Sequence, residues 1–166
     1  MTKRYALWLV LAAFFFGSGA QARDLVLEHY FKGRTYAHGS FSAITGTKRS
    51  FDVALTGIVK GRTLTLVEDF VYNDGEKSRK TWVFVRQADG TYRGTRDDVI
   101  GETRITIKGN TARYTYLIDL DEGPGQQIVR FYDQMVLSAD GKRIVNTATV
   151  TKFGFPVAKV KVDFRR

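Results

Sequence analysis

The amino-acid sequence predicts an all-β fold of about ten antiparallel strands. Glycine-containing turn signals recur at short, regular intervals along the chain, among them Asp-Gly pairs at residues 74–75, 89–90 and 140–141. Such spacing is typical of strands joined by hairpins. Between the turns, apolar and polar residues alternate with the two-residue period of a strand that has one buried face. No long apolar pattern at helical spacing follows residue 22.

Ten strands are predicted between these turns. They span residues 34–44, 49–59, 62–73, 76–88, 91–99, 102–108, 111–120, 127–138, 143–152 and 156–165. The last strand is the clearest, because its even-numbered residues from 158 to 164 are apolar while its odd-numbered residues from 159 to 165 are charged. Before the first strand, residues 24–31 are predicted to form a short helix or turn that closes one end of the fold.

The strand count predicts how the sheet closes. Ten hairpin-linked strands leave two bare edges unless the sheet curls shut, which favours an up-and-down β-barrel of the lipocalin-like (calycin-like) type. A sandwich of two sheets is the alternative architecture. An outer-membrane barrel is a further alternative, but charged residues on both faces of neighbouring strands disfavour it, because a charge facing lipid costs about 2–4 kcal/mol near the bilayer midplane.

The N-terminal segment has the order of a secretory signal peptide. Two basic residues precede an uncharged run over residues 5–16, and small residues predominate over residues 17–22. The run is shorter than the roughly 20 residues that a spanning helix needs. We therefore expect cleavage after Ala22, one domain over residues 23–166 and a periplasmic location. Anchoring by an uncleaved N-terminal segment is the alternative.

Composition limits the classes of function. The chain has no cysteine, so disulfides, thiolate metal sites and a lipidated cysteine are excluded. With only His29 and His38 as imidazoles, we expect neither a metal site nor a cofactor. The net charge of +9 is spread along the chain. This distribution disfavours nucleic-acid binding and is compatible with peripheral contact with an anionic membrane surface. The sequence does not indicate an oligomeric state.

The third predicted strand carries two adjacent carboxylates, Glu68 and Asp69, ahead of a turn and several cations. If residues 74–75 form a two-residue hairpin loop, Asp69 lies opposite Lys80 and Glu68 has Arg79 on the diagonal. Neighbouring strand residues point to opposite faces, so the two acids cannot act as one catalytic pair. Glu68 shares its face with leucine and aromatic residues, which predicts that this face is the interior.

Other charged residues also lie in largely apolar strands. If several of them point inward, the barrel holds a polar network beneath aromatic walls, which suits a ligand with an apolar body and a polar head. The alternative is that they form cross-strand pairs on the outside. The candidate ligand-binding residues are Glu68, Tyr72, Arg79, Arg96, Asp97 and Arg130.

Other chemistry is disfavoured, and we assign no catalytic residue. His38 and Ser40 share one face of a predicted strand, but no nucleophile-elbow motif accompanies them. The Gly-Pro-Gly sequence at residues 123–125 does not open a helix, so it does not indicate a phosphate-binding loop. The aromatic residues are not interleaved with a cationic stripe, which favours core packing over base stacking.

Four motifs occur in order along residues 23–166. They are Leu27-Glu28-His29-Tyr30-Phe31-x-Gly33-Arg34-Thr35; Leu64-x-Leu66-x-Glu68-Asp69-Phe70-x-Tyr72-x-Asp74-Gly75 with Arg79 and Trp82; Gly94-x-x-Asp97-Asp98-x-x-Gly101; and Asn146-x-Ala148-x-x-x-Lys152-Phe153-Gly154. This order resembles a bacterial family known as domain of unknown function 3833. The resemblance implies a lipocalin-like domain in a Gram-negative envelope, and members are described as lipoproteins. It implies no catalytic residues, and this chain lacks the cysteine that a lipid anchor needs.

Three functional hypotheses follow. The favoured one is an exported, periplasmic barrel that binds a lipid or another small amphiphilic molecule. The second is an enzyme that acts on a lipid-like or small cyclic metabolite, with an interior carboxylate moving a proton. The third is a ligand-free envelope scaffold, in which the pair of acids at residues 68–69 only fixes the hairpin register.

Overall fold

The computed structural model describes residues 23–120 and 127–166. The described elements are α1 (Leu27–Phe31), β1 (Gly33–Ala43), β2 (Lys48–Lys60), β3 (Thr63–Tyr72), β4 (Lys77–Arg86), β5 (Tyr92–Thr95), β6 (Thr103–Lys108), β7 (Thr111–Asp119), β8 (Ile128–Leu137), β9 (Arg143–Lys152) and β10 (Phe155–Arg165). All ten predicted strands and the short N-terminal helix are confirmed. Strand β5 is much shorter than predicted, because the chain turns after Thr95 and the Val99 amide donates to the Arg96 carbonyl.

The strands form one closed antiparallel barrel in the order β1-β10-β9-β8-β7-β6-β5-β4-β3-β2. Each strand pairs with its neighbours in sequence, and the barrel closes where β1 pairs with β10 from Tyr36 opposite Arg165 to Ala43 opposite Ala158. The lipocalin-like up-and-down barrel is therefore confirmed, and the two-sheet alternative is wrong.

Helix α1 covers one end of the barrel. Its Leu27 and Phe31 side chains are buried, and the Tyr30 hydroxyl donates to the carbonyls of Lys142 at 3.2 Å and Phe164 at 3.0 Å. The helix lies so close to β2 that a Cβ at Gly57 would stand 1.8 Å from the Phe31 carbonyl oxygen. This close approach requires glycine at position 57.

A buried carboxylate secures the same end of the barrel. Glu28, in α1, accepts a short hydrogen bond from the hydroxyl of Tyr92 in β5, and both residues are buried. Burial, followed by that hydrogen bond, raises the pKa of Tyr92 well above its ordinary value. The helix is thus tied to strands on both sides of the barrel end.

The β3–β4 hairpin differs from the predicted one by one residue. Asp69 pairs with Arg79, and Glu68 pairs with Lys80. The loop contains three residues, because the Gly75 amide donates to the Tyr72 carbonyl and Gly75 adopts a φ of 86°. Type I turns that end in a left-handed residue give such three-residue loops. The predicted two-residue loop, with Asp69 opposite Lys80, is wrong.

Two sequence predictions fall outside the described residues. They concern the signal peptide at residues 1–22 and the loop at residues 121–125. Within the part of the chain that the structure describes, no helix is long and apolar enough to cross a membrane.

Candidate functional site

The barrel encloses a cavity of about 390 Å³. It extends from α1, where Leu27 and Phe31 line it, to Arg49 and Tyr72 near the β3–β4 hairpin. Ligand pockets in proteins usually have volumes of about 300–1,000 Å³, so this cavity could hold a small molecule. The face of β3 that carries Glu68 is the interior face, as predicted, with Glu68 8% exposed.

Aromatic side chains form much of the cavity wall. At the end of the cavity beside Arg49, which we call the mouth, Phe51, Phe70 and Tyr72 pack together with ring centroids 5.6–6.0 Å apart. Deeper in the cavity, Tyr116 stacks on Phe131 at 5.1 Å and meets the edge of Trp82 at 5.4 Å. Each strand supplies these rings at alternate positions, so the two-residue period of the sequence builds the wall.

A charged cluster interrupts this aromatic wall. Lys80 donates a short hydrogen bond to Asp98, and Arg96 binds the same carboxylate through Nε and, at 3.2 Å, through Nη2. The Arg96 side chain is only 9% exposed. Its guanidinium lies over the ring of Trp82, and such cation–π contacts help to stabilise a desolvated cation.

Burial and the neighbouring cations determine the ionisation of Glu68 and Asp98. Burial raises the pKa of Glu68 to about 7, although the charges of Arg96 and Lys80 act to lower it. Burial also acts to raise the pKa of Asp98, but the hydrogen bonds from Lys80 and Arg96 outweigh burial and hold that pKa below its ordinary value. Asp98 is thus the ionised partner of the two cations, whereas Glu68 changes protonation near neutral pH.

A second polar group lies on the wall formed by β8 and β9. Asp133 and Asn146 are both 6% exposed, and Asn146 Nδ2 donates to Asp133 Oδ1 at 2.6 Å. Burial raises the pKa of Asp133 to about 6, against the lowering effects of Asn146, Arg96 and Tyr116. The other carboxylate oxygen, Asp133 Oδ2, and the amide oxygen, Asn146 Oδ1, have no hydrogen-bond partner within the described chain.

Three of the predicted site residues line the cavity. Glu68 and Arg96 lie in its wall, and Tyr72 lies at the mouth, where the Arg49 guanidinium stands 4.0 Å from the centroid of its ring.

The other three predicted site residues do not line the cavity. Arg79 pairs with Asp69 on the outer surface, where its side chain is 70% exposed. Asp97 is exposed in the turn after β5. Arg130 takes the outward position of β8, between the inward residues Val129 and Phe131. The structure therefore brings half of the predicted set together.

The cavity also contains polar residues that the sequence reasoning did not assign to it. They are Arg49, Lys80, Asp98, Tyr114, Tyr116, Asp133 and Asn146. The signal for Asp133 was its alternation with Phe131 and Met135, which share the inner face of β8. For Lys80, the corresponding signal was its alternation with Trp82 and Phe84 in β4.

Other candidate chemistry lies outside the cavity. His38 Nδ1 is 2.8 Å from Asp52 Oδ1, and both side chains are strongly exposed. Ser40 is also on the exposed face of β1. Among residues 23–120 and 127–166, no group of three or more histidines, aspartates and glutamates could hold a metal ion.

Comparisons with known proteins give a family and solved structures to which this chain is similar. The family model described as Protein of unknown function (DUF3833) matches residues 18–166. The structure of the S-type phycobiliprotein lyase CPES from Guillardia theta is 9% identical, with a TM-score of 0.62 over 86% of this chain and 93% of that chain. The structure of EF1p2_mFAP2b bound to DFHBI is 11% identical, with a TM-score of 0.44 over 89% of this chain and 98% of that chain. No curated protein matches.

Proposed function

The chain belongs to the family described as Protein of unknown function (DUF3833), and we propose that its barrel binds a small amphiphilic molecule of the lipid type. The observation that carries this proposal is the cavity of about 390 Å³, whose aromatic wall surrounds buried charged groups. A solid core would fill this space with side chains. Buried charges are costly unless they are paired, so their presence beside a cavity is a feature of binding sites.

The two parts of the cavity wall suit the two parts of an amphiphile. The aromatic and aliphatic surface removes an apolar chain from water, which contributes about 25 cal/mol for each Å² buried. The polar residues on the wall provide hydrogen bonds that orient a head group. The mouth at Arg49 and Tyr72 lies opposite α1, and its position near the β3–β4 hairpin makes it the proposed entrance.

Native mass spectrometry of the protein purified from its own envelope tests the proposal. We expect an additional mass at one copy per barrel, which organic solvent should extract as a lipid-like molecule. If the protein carries no additional mass, and none appears after incubation with an envelope lipid extract, amphiphile binding is refuted.

Filling the cavity provides a second test. Ala148 is 4% exposed, lines the cavity and lies opposite Asp133 across the β8–β9 pair. Replacement by tryptophan (Ala148→Trp) should abolish ligand uptake, and the smaller change Ala148→Leu should weaken it. Ala54→Trp is the matched control, because Ala54 lies outside the cavity, opposite Asp69. Circular dichroism establishes that each variant is folded.

A second candidate function, proton-transfer catalysis inside the barrel, is favoured by one observation. Burial raises the pKa values of Glu68 to about 7 and of Asp133 to about 6, and carboxyl groups with such values can take or give a proton near neutral pH. Solvent deuterium exchange into the extracted ligand in the presence of the protein would distinguish catalysis from binding, since binding alone leaves the ligand unlabelled.

A periplasmic location belongs to the same proposal. Its support is the order of basic, apolar and small residues over residues 1–22. Fractionation of the producing cell and the intact mass of the protein test it, because export with cleavage after Ala22 yields a periplasmic chain that starts at Arg23. A cytoplasmic chain of full mass would refute it.

A further inference from the structure

We propose that the Asp133–Asn146 pair is the head-group site of the cavity and that it binds a protonated primary amine carried on an apolar chain. The proposal deepens the proposed function and rests on it. It names the chemistry of the polar head, which the shape of the cavity alone does not specify.

Unpartnered acceptors on the cavity wall carry this inference. Asp133 Oδ2 and Asn146 Oδ1 are buried acceptors that no donor of the described chain meets at hydrogen-bond geometry, although the Tyr116 hydroxyl lies close enough to the Asp133 carboxyl to lower its pKa. Because Asn146 Nδ2 donates to Asp133 Oδ1, its amide oxygen is left for another molecule. Leaving a buried polar atom without a partner costs free energy, so a ligand that supplies N–H donors is stabilised here. An ammonium group has three donors and can satisfy both oxygens.

The cations of the cavity are already occupied. Arg96 and Lys80 both bind Asp98, and the Arg49 guanidinium at the mouth binds Asp74 at 2.7 Å and Glu76 at 2.8 Å. One Arg49 atom, Nε, is a buried donor without a partner, but it lies at the mouth beside Tyr72. An anionic head group would have to displace an existing ion pair, whereas a cationic head group would not.

The charge balance of the cavity interior also favours a cationic ligand. The cavity wall carries three cations and three carboxyl groups, but the charge of Arg49 is paired with Asp74 and Glu76. The remaining cations are Lys80 and Arg96, and the carboxyl groups are Glu68, Asp98 and Asp133. When all three carboxyl groups are ionised, the wall has an excess of negative charge. A bound ammonium would neutralise that excess in a site of low dielectric constant, where charge pairing is strong.

This balance makes amine binding dependent on pH. The charged and titratable groups that face Asp133 are Tyr114, Tyr116, Arg96 and Glu68, with Asp98 and Lys80 beside Arg96. Protonation of Asp133 and Glu68 below their pKa values of about 6 and about 7 leaves the cations in excess. Amine affinity should therefore fall as the pH is lowered from 8 to 5.

Calorimetric titration with three probes of equal chain length tests the proposal. Octylamine, octanoate and octanol are titrated into the purified protein at pH 8. We expect octylamine to bind about tenfold or more tightly than octanoate and octanol, because charge-assisted hydrogen bonds are about twice as strong as neutral ones. Asp133→Asn should remove this preference by lowering octylamine affinity to about that of octanol, because the amide carries no charge. The surface variant Asp52→Asn, whose acid pairs with His38 on the outside, is the matched control.

The outcomes separate this inference from the proposed function. If octanoate binds as tightly as octylamine, or if Asp133→Asn leaves octylamine affinity unchanged, the amine site is overturned while amphiphile binding stands. If none of the three probes binds and native mass spectrometry also shows no ligand, both fail. The comparison of wild-type affinities for octylamine and octanoate at pH 8 needs no variant, so it remains decisive even if Asp133→Asn does not fold.

Discussion

The guanidinium carbon of Arg96 lies 4.7 Å from the centroid of the Trp82 ring inside the barrel. It also lies 5.7 Å from the Tyr116 ring, and the same side chain binds Asp98. Ring faces and a carboxylate thus replace the water that the cation loses on burial. The charge of Arg96 also acts to lower the pKa values of Glu68 and Asp133, although burial outweighs it at both groups.

Replacement of Arg96 by methionine should destabilise the protein strongly. The change removes one of the two cations that act on Asp98 and Glu68, and leaves Lys80, while it keeps most of the apolar stem. We expect the free energy of unfolding at pH 7 to fall by about 3 kcal/mol, as for other broken buried ion pairs. Urea unfolding followed by circular dichroism measures it.

The control for this change is Arg79→Met, at a site that the sequence also proposed for the ligand. Arg79 pairs with Asp69 at 2.6 Å on the outside, where both side chains are substantially exposed. Exposed ion pairs contribute little to stability, so the urea midpoint should move only slightly. Equal losses of stability in the two variants would show that burial does not make the Arg96 ion pair more important than the exposed one.

Glu68→Gln should stabilise the protein at pH 8. The pKa of Glu68 is raised from 4.5 to about 7 by burial, so the folded chain holds more protons than the unfolded chain between these values. Wild-type stability therefore falls as the pH rises through that window. Glutamine has no charge to bury, and the variant should be more stable by about 3 kcal/mol at pH 8, with little difference at pH 4.5. Urea unfolding across this range measures the change.

Replacement of the adjacent acid, Asp69, should change the free energy of unfolding in the opposite direction. The hydrogen bond from Arg79 lowers the pKa of Asp69, so the stability that this ion pair contributes is present above the ordinary pKa of 3.8 and is lost on acidification. Asp69→Asn should therefore never be more stable than wild type as the pH rises. A gain for both variants at pH 8 would mean that burial of the Glu68 carboxylate is not the cause, since Asp69 lies in an exposed ion pair.

Gly57→Ala should loosen the covered end of the barrel. The new methyl group would stand 1.8 Å from the Phe31 carbonyl oxygen and 2.7 Å from its carbonyl carbon, and backbone atoms cannot move away as a side chain can. We expect a loss of about 1–3 kcal/mol and faster amide hydrogen exchange in α1. Ile58→Ala, at the neighbouring exposed position, is the control. Unchanged exchange in α1 would contradict the close contact.

Tyr92→Phe should destabilise the same region by a different route. The change removes one oxygen and leaves the buried Glu28 carboxyl without its hydroxyl donor. An unsatisfied buried acceptor costs about 1–3 kcal/mol, and thermal unfolding should show the loss. Tyr132→Phe makes the same chemical change at a side chain that is 51% exposed, and it should have no comparable effect. Equal melting temperatures for the two variants would argue against the Glu28 contact.

Much of the fold could be predicted because strand period and turn spacing are local properties. The alternation in β10 and the apolar face of β3 predicted which residues of these two strands lie inside the barrel, and the structure confirms both predictions. The loop of the β3–β4 hairpin could not be predicted in the same way. An Asn-Asp-Gly sequence fits a two-residue or a three-residue loop, and a shift of one residue exchanges the two faces of the following strand.

The one-residue shift in the β3–β4 register explains part of the error in the candidate site. The predicted register placed Arg79 beside Glu68, whereas the observed register puts Lys80 there and Arg79 outside. The choice of Asp97 was an error of another kind, because two-residue alternation places Asp98, and not Asp97, on the face of Arg96, and Asp98 is the acid that reaches the cavity. In β8 the sequence offered an acid and a cation on opposite faces, and pairing with β7 and β9 places Asp133 inside with Phe131 and Met135.

The pairing of β1 with β10 has a consequence for how the chain folds. Every other strand pair joins sequence neighbours, so it can form as soon as one hairpin has left the ribosome or a membrane pore. The seam between Tyr36 and Arg165 joins the two ends of the described chain and must wait for the last strand. Contacts of such long range slow folding, because the whole intervening chain loses entropy before they form. Closure of this seam should therefore limit the folding rate.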